Sequence, residues 1–591
     1  MHVCTPDEMR EIEAKTDASG HSYDEMMRMA GTAVADNVAE RVPPRKSVVV
    51  LCGPGNNGGD GLVAGAELAL RDYNVRAYLW RRKPADIPPP ADEKGISMMQ
   101  MAEEASDGDH STLQEWLAEA DVILDALLGT GGGREIKSPL ADILAATAEE
   151  LEREDAPLYV AVDSSTGVNL TDGSVDPATV PADVTVTFGY PKVGQLRFPG
   201  ANFVGELIVA DIGMPEEFAT GQLFMATDWE VADSLPERPM DAHKGTFGKA
   251  LVIAGSVNYT GAAFLSAAAA YRSGAGLVTA AIVSSAHPII AGLLPEATFL
   301  VLPEDLGVIS RAAVEVVGEA WSDYQAVLVG PGLTRQKPTA EFLRELLRAH
   351  HDGSQEHAAR HEAIGFDAII SESSSHGIAR QQSAGEEDVQ GAGTEVGSEA
   401  GAKAAEDAAK RGQEGAGASG GQLDSSNKPP ARFVVDADGL NLLSEMREAM
   451  AQLPPETVLT PHPGEMARLT GLSTRQVNEN REQTAAEWAA EWGHVVVLKG
   501  ALTVVAAPDG RVTIIPIADS ALAVAGTGDV LSGAIVGLLA QGMAPYEAAV
   551  AGAYMHALAG QMAGEAFGSR GTVAGDVLRQ LPWALMEIEQ E

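Results

Sequence analysis

Short, β-branched apolar runs separated by helix-period segments constrain this chain more than any other feature. They read SVVVLCG (47–53), VRAYLW (75–80), ADVILDALLG (120–129), LYVAVD (158–163), DVTVTFG (183–189) and ELIVADIG (206–213). Strands with no polar alternation must be covered on both faces, so a parallel sheet flanked by helices is expected. The pattern lapses between about Pro215 and Pro239 and restarts with KALVIAG (249–255), LVTAAIV (277–283), AVLVG (326–330), RFVVDA (432–437) and HVVVLKG (494–500). Paired strands follow at Leu502–Ala507 and Val512–Pro516. Two α/β domains are therefore expected, at 1–215 and 240–591, with 216–239 as linker.

The second domain is interrupted at about 350–430, where Gly, Ala, Ser, Glu and Gln dominate. That composition buries too little apolar surface to offset its ordering entropy, which predicts a disordered, low-complexity surface insertion. Elsewhere composition mainly excludes. No stretch of about eighteen apolar residues is uninterrupted, so no membrane span is expected, and the charged start of the chain is not a secretion signal. Cys4 and Cys52 make no disulfide framework and suit a reducing cytoplasm. Asp and Glu number 84 against 41 Lys and Arg, a formal charge of −43, which disfavours nucleic acid. Acid at this density, spread through both halves, is expected of a halophilic protein whose repulsion is screened by a salt-rich cytoplasm.

The first candidate site begins at GPGNNGGDG (53–61), a strand-to-helix turn with five glycines within nine residues. Such a turn presents backbone amides to an anion at a helix N-terminus. Asn56, Asn57 and Asp60 exceed what a turn needs and suggest a cation site or sugar-hydroxyl contacts. Asp125 ends another strand ahead of LLGTGGGRE, and a third strand ends in Asp163-Ser164-Ser165-Thr166-Gly167. Polar strand ends at one carboxyl edge are where ligands of parallel sheets bind. Lys192, in TFGYPKVG, either assists Asp163 or is a solvated surface lysine.

These motifs, in this order and spacing, resemble the NAD(P)H-hydrate epimerase family across about residues 1–215. The resemblance implies a Rossmann-like three-layer domain that interconverts the R and S hydrates of the reduced nicotinamide ring. It assigns the hydrate to Asn56, Asn57, Gly58, Gly59 and Asp60, and to Gly129, Thr130, Gly131, Gly132, Gly133, Arg134 and Glu135, together with Asp163. It assigns potassium to Asn57, Asp125 and Thr166. Asp163 is the expected general acid/base. The family commonly has Asp-Ile-Pro-Ser-Gly where this chain has Asp-Ser-Ser-Thr-Gly, a loop without the stiffening proline.

In the second half, HKGTFG (243–248), the loop Tyr259-Thr260-Gly261-Ala262, GPGL (330–333), TPHPGE (460–465), LKGALTVV (498–505) and GTGDVLSG (526–533) form the second candidate site. Amides of Gly526, Thr527 and Gly528 at a helix start would stabilise charge on a transferring phosphoryl group. Asp529 would accept the attacking hydroxyl's proton. Read from the residues alone, a small-molecule kinase and a phosphate-expelling dehydratase both remain open, as does a non-catalytic binding scaffold in the first half. The order of motifs resembles the ribokinase-like ADP-dependent NAD(P)H-hydrate dehydratase family across about 235–591, apart from the insertion. That resemblance implies hydrate contacts at Ala262, Gly332, His462 and Asp529, with Asp529 catalytic. It implies nucleotide contacts at Lys499, Gly500, Ala501, Leu502, Thr503 and Gly528, with magnesium accompanying ADP. The family tends to show two glycines before Thr-Gly-Asp; here Ala525 replaces the first. Together the two resemblances describe a bifunctional, cytoplasmic, homo-oligomeric repair enzyme acting on NADHX and NADPHX.

Overall fold

The computed structural model describes residues 1–129, 135–351 and 432–590. Residues 1–347 and 431–591 form one compact unit. The insertion expected at about 350–430 lies almost wholly outside the described residues.

The first half builds a wholly parallel seven-stranded sheet from β1 (Ser47–Cys52), β2 (Asn74–Leu79), β3 (Gln100–Glu103), β4 (Val122–Ala126), β5 (Leu158–Val162), β6 (Val184–Phe188) and β7 (Glu206–Ala210). Their order is β3-β2-β1-β4-β5-β6-β7. Val48–Cys52 and Val122–Ala126 are fully buried, as strands covered on both faces must be. Burying each such valine or leucine contributes about 1.5–3 kcal/mol. Strand order reverses between β1 and β4, which opens the crevice outside their carboxyl ends.

The second half contains β8 (Leu223–Met225), β9 (Lys249–Ile253), β10 (Leu277–Val283), β11 (Thr298–Leu302), a hairpin of β12 (Glu304–Asp305) and β13 (Val308–Ile309), then β14 (Ala326–Val329), β15 (Arg432–Val435), β16 (Val458–Leu459), β17 (Val495–Leu498), β18 (Val504–Ala506) and β19 (Val512–Ile514). Its main sheet runs β11-β10-β9-β14-β15-β16-β17-β18-β19-β8. Pairing is parallel as far as β17, antiparallel through β18 and β19, and parallel again onto β8. The two-part α/β reading holds. The stretch 216–239 differs from the linker expected: it supplies the edge strand β8 and the helix Asp228–Ser234. Main-chain pairing with β19 makes a strand of residues whose side chains show no strand pattern.

The two halves meet across apolar surface. Val193 and Leu196 of the first share a buried cluster with Leu498, Leu502 and Val504 of the second. Arg197 grips Glu482 with two hydrogen bonds of 3.0 and 3.2 Å.

Helix Thr260–Arg272 lies directly on helix Thr527–Ala540, and glycines set their closeness. A side chain at Gly533 would run into the Ser266 carbonyl and approach the Ala269 Cβ at 2.8 Å. One at Gly537 would meet the Ala270 backbone. Gly533→Ala is expected to force the helices apart at a cost of about 1–3 kcal/mol, seen as a lower unfolding midpoint in scanning calorimetry; an unchanged midpoint would show that the helices yield freely.

Candidate active sites

The first site gathers at the carboxyl ends of β1, β4, β5 and β6. Gly53 and Gly58 let the turn close, because a Cβ at Gly53 would strike the Leu127 carbonyl and one at Gly58 the Gly53 carbonyl. Helix Asn56–Leu70 starts there. Arg82, which the sequence did not single out, clamps the turn by donating to the Gly53 and Gly55 carbonyls at 2.7 and 2.5 Å. A cavity of about 620 Å³ opens in front, with Asn56, Asn57, Gly59, Asp60, Gly129 and Asp163 among its lining residues. Gly58 packs behind it.

Asp163 sits at φ +62°, a strained position for a residue with a side chain and a recurrent feature of working sites. Lys192 is 1 % exposed, which excludes the solvated-lysine reading. Its Nζ donates to Asp163 Oδ1 at 2.6 Å, to Thr187 Oγ1 at 2.8 Å and to the Phe188 carbonyl at 3.1 Å. Gln195 fixes the Asp163 carbonyl from Nε2 at 2.7 Å. Asp60 is buried near Asp163 and Glu13; burial first, then those two carboxylates, push its carboxyl well above the ordinary range. Burial also raises Glu13. Neither Glu13 nor Thr187 carried a sequence signal, since one lies on a polar helix and the other in a strand of alternating Val and Thr that reads as ordinary β-branched sequence.

Asp125 is fully buried, and its carboxylate accepts from the Thr166 amide and hydroxyl, both at 2.7 Å, and from the Leu127 amide at 3.2 Å. The Thr166 hydroxyl also accepts from the Leu128 amide at 3.0 Å. Asn57, 8 % exposed, has neither side-chain oxygen nor nitrogen partnered. A Cβ at Gly129 would lie 3.1–3.4 Å from that amide, so the two glycine loops meet here. Thr130, Gly131, Gly132, Gly133 and Arg134 lie outside the described residues. The exposed carboxylate of Glu135 pairs with Lys137 at 2.9 Å.

The second site centres on Asp529, in the first turn of helix Thr527–Ala540, preceded by Gly526 at φ +96°. Lys499, at the end of β17, pairs with Asp436 Oδ1 at 2.6 Å and lies 4.0 Å from Glu465 Oε2. A Cβ at Gly528 would sit 3.3 Å from the Lys499 amine. Burial opposes the Lys499 charge, but Asp436, Glu465 and Asp529 together hold its pKa above the usual value. Asp436 Oδ2 is buried without a partner. The sequence missed Asp436 and Glu465, although Asp436 ends a strand just as Asp163 does.

Gly332, at φ +64°, comes against Tyr259 and Ala262: a Cβ there would lie 2.7 and 2.8 Å from theirs. His462 caps helix Pro463–Thr470, its Nδ1 accepting from the Gly464 and Glu465 amides at 3.0 and 3.3 Å. Glu465 Oε2 returns the bond by accepting from the His462 amide at 2.9 Å. Lys499, Gly500, Ala501, Thr503 and Gly528 line a second cavity of about 460 Å³. The Leu502 side chain instead turns into the apolar cluster between the halves.

Burial, then Asp436, pushes Asp529 up to about 7; burial likewise lifts Glu465 to about 7, against the pull of Lys499. A carboxyl raised in the fold contributes stability below its unfolded pKa and loses it as pH climbs through the folded value. With unfolded values of 3.8 and 4.5, the loss falls between roughly pH 4 and 7. Glu465→Gln and Asp529→Asn are therefore expected to raise the unfolding midpoint at pH 8 relative to the parent, and not at pH 4. Equal shifts at both would contradict buried, raised carboxyls.

Residues 23–194 match the model of the YjeF-related protein N-terminus, and residues 250–352 and 421–582 match that of NAD(P)H-hydrate dehydratase. Similar proteins include the bifunctional NAD(P)H-hydrate repair enzymes Nnr of Moorella thermoacetica (33% identical, covering 96% of this chain and 93% of that one) and Thermofilum pendens (32%, 96% and 92%). The enzyme of the same name from Salinibacter ruber is 31% identical over 94% and 91% of the respective chains. Among solved structures, the ADP/ATP-dependent NAD(P)H-hydrate dehydratase of Bacillus subtilis co-crystallised with ATP and Mg²⁺ is 25% identical, with a TM-score of 0.43, covering 62% of this chain and 99% of that one. Both halves being matched in chain order and relatives being similar over almost the full length, this chain belongs to the family of bifunctional NAD(P)H-hydrate repair enzymes.

Proposed function

We propose that the first half epimerises the hydrates of NADH and NADPH and that the second dehydrates them to the dinucleotides at the expense of ADP. The observation that carries this reading is the recurrence of a lysine–carboxylate pair at a sheet's carboxyl edge, Lys192 with Asp163 in one half and Lys499 with Asp436, within electrostatic reach of Asp529, in the other. The first domain's limits, 1–215, belong to the same proposal.

In the first half, Asp163 exchanges a proton at the hydrated ring while Lys192 holds its carboxylate in place. The unpartnered amide of Asn57, the Asp125 carboxylate and Thr166 offer neutral and singly charged oxygens, a donor set that fits potassium. Because the Thr166 hydroxyl is already engaged by Asp125 and Leu128, Thr166 has a lone pair or its carbonyl to give. Bound there, potassium would supply positive charge toward the substrate phosphates.

In the second half, Asp529 takes the ring hydroxyl's proton as the oxygen attacks the terminal phosphorus of ADP. A new P–O bond forms, the bond to AMP breaks, and the amides at Gly526–Gly528 face the developing charge. The ring nitrogen's electron pair then expels phosphate, and loss of the neighbouring ring proton restores the double bond. The orphaned Asp436 Oδ2 fits a hard cation, and magnesium held there with the nucleotide would supply charge neutralisation. Ala262, Gly332 and His462 shape the hydrate side of this site.

A mixture of R and S hydrates with ADP, magnesium and potassium is expected to convert fully to dinucleotide, followed by nicotinamide absorbance. Conversion of about half would leave only the dehydratase, and stable phosphorylation of another alcohol would favour a kinase. Asp529→Asn is expected to lower recovery by about 10²-fold or more while epimerisation persists.

A cytoplasmic, homo-oligomeric enzyme of a salt-rich cell is part of the proposal, its salt-rich setting supported by the charge of −43. Among the described residues no helix is long and apolar enough to cross a membrane. Raising KCl from about 0.1 to 2 M is expected to lift the unfolding midpoint, because screening removes self-repulsion; a falling midpoint would refute the halophilic reading.

A further inference from the structure

The cavity in front of helix Thr527–Ala540 is not walled by the second half alone. Phe198 and Asn202, from the turn that follows Lys192 in the first half, line it together with Lys499, Gly500, Thr527 and Gly528. We infer that Phe198 and Asn202 form the adenosine-facing wall of the nucleotide cavity, so that the first half contributes specificity to the second half's reaction. The inference rests on reading this cavity as the ADP site.

The lining offers two kinds of chemistry. Amides at a helix start and a lysine suit phosphate. An aromatic ring and a carboxamide do not, but they suit the face of a purine and the hydroxyls of a ribose. The volume, about 460 Å³, falls in the range of small-molecule sites. His556 also lines the cavity, close to Thr527 and Lys499; it is 8 % exposed and its Nε2 has no partner.

The ring of Phe198 is 47 % exposed, although the residues around it are firmly tied. Arg197 is locked on Glu482 across the seam, and Glu482 is itself 12 % exposed. The Gly200 amide donates to the Gly173 carbonyl at 2.8 Å, and a Cβ at Gly200 would strike the Gly194 carbonyl. The Phe203 carbonyl accepts from Ser165 Oγ at 2.7 Å and from the Ala182 amide at 3.0 Å. A large apolar ring held in water on so rigid a support is preorganised to stack, since little freedom remains to be lost when the base arrives.

The test measures ADP affinity by calorimetry, and KM for ADP against kcat in the recovery assay, for Phe198→Ala, Phe198→Leu and Phe198→Tyr. Leucine keeps apolar bulk at the seam and removes only the ring, so a folding defect in the alanine variant leaves the question answerable. Alanine and leucine are expected to weaken ADP binding about five- to thirty-fold and to raise KM more than they lower kcat, with tyrosine restoring both. Epimerisation is expected to proceed as in the parent. Unchanged ADP affinity in the leucine variant, or a fall in kcat with KM constant, overturns the inference and leaves the ADP reading standing. A parent protein that binds no ADP overturns both.

Discussion

When strands run parallel, each delivers its chain to the same edge of the sheet, and the loops leaving that edge must share one crowded space. Both halves of this protein depend on that constraint. In the first, β1, β4 and β5 end in Gly53, Asp125–Ala126 and Asp163, side by side. In the second, β14, β15 and β17 end near Gly330, Asp436 and Lys499. Glycines are placed where two chains must pass within van der Waals contact, as at Gly53 against Leu127 and Gly330 against Asp436. The sheets thus fix the backbone, and the polar strand ends become chemistry by being forced together.

Crowding carboxylates in this way has an electrostatic cost that each half meets with a single lysine. Lys192 compensates Asp163, leaving Asp60 and Glu13 to retain protons above their usual range. Lys499 compensates Asp436, leaving Asp529 and Glu465 near neutrality. Removing a buried cation would strand its partner, whereas neutralising a surplus acid would relieve the fold. Stability is surrendered where a base poised close to neutral pH is gained.

Much of this was legible because near-continuous Val and Ile runs admit few alternatives to a covered parallel sheet. The glycine loops and Asp163, Asp125 and Asp529 stand out for the same reason, as polar residues where an apolar run stops. What escaped lacked such contrast. β16 spans only Val458–Leu459, and β3 is the largely polar QMAE; each is a strand because a neighbour pairs with it. Glu13 reaches the first cavity from a helix remote in sequence, and Arg82 acts through main-chain carbonyls, so neither leaves a local pattern. The side-chain role of His462 as a helix cap was written in His-Pro-Gly-Glu, but a rigid polar loop reads equally as a cap and as a contact.

The short stretch 192–203 touches almost everything at once. Lys192 and Gln195 hold Asp163, Arg197 fastens the second half, Phe198 and Asn202 enter its cavity, and Phe203 receives Ser165 from the Asp163 loop. A little further on, Leu223–Met225 closes the edge of the second sheet. The seam between the two catalytic halves is therefore no neutral place to divide the polypeptide. Splitting the gene there would hand one product an unpinned turn and the other an open sheet edge and a cavity missing part of its wall.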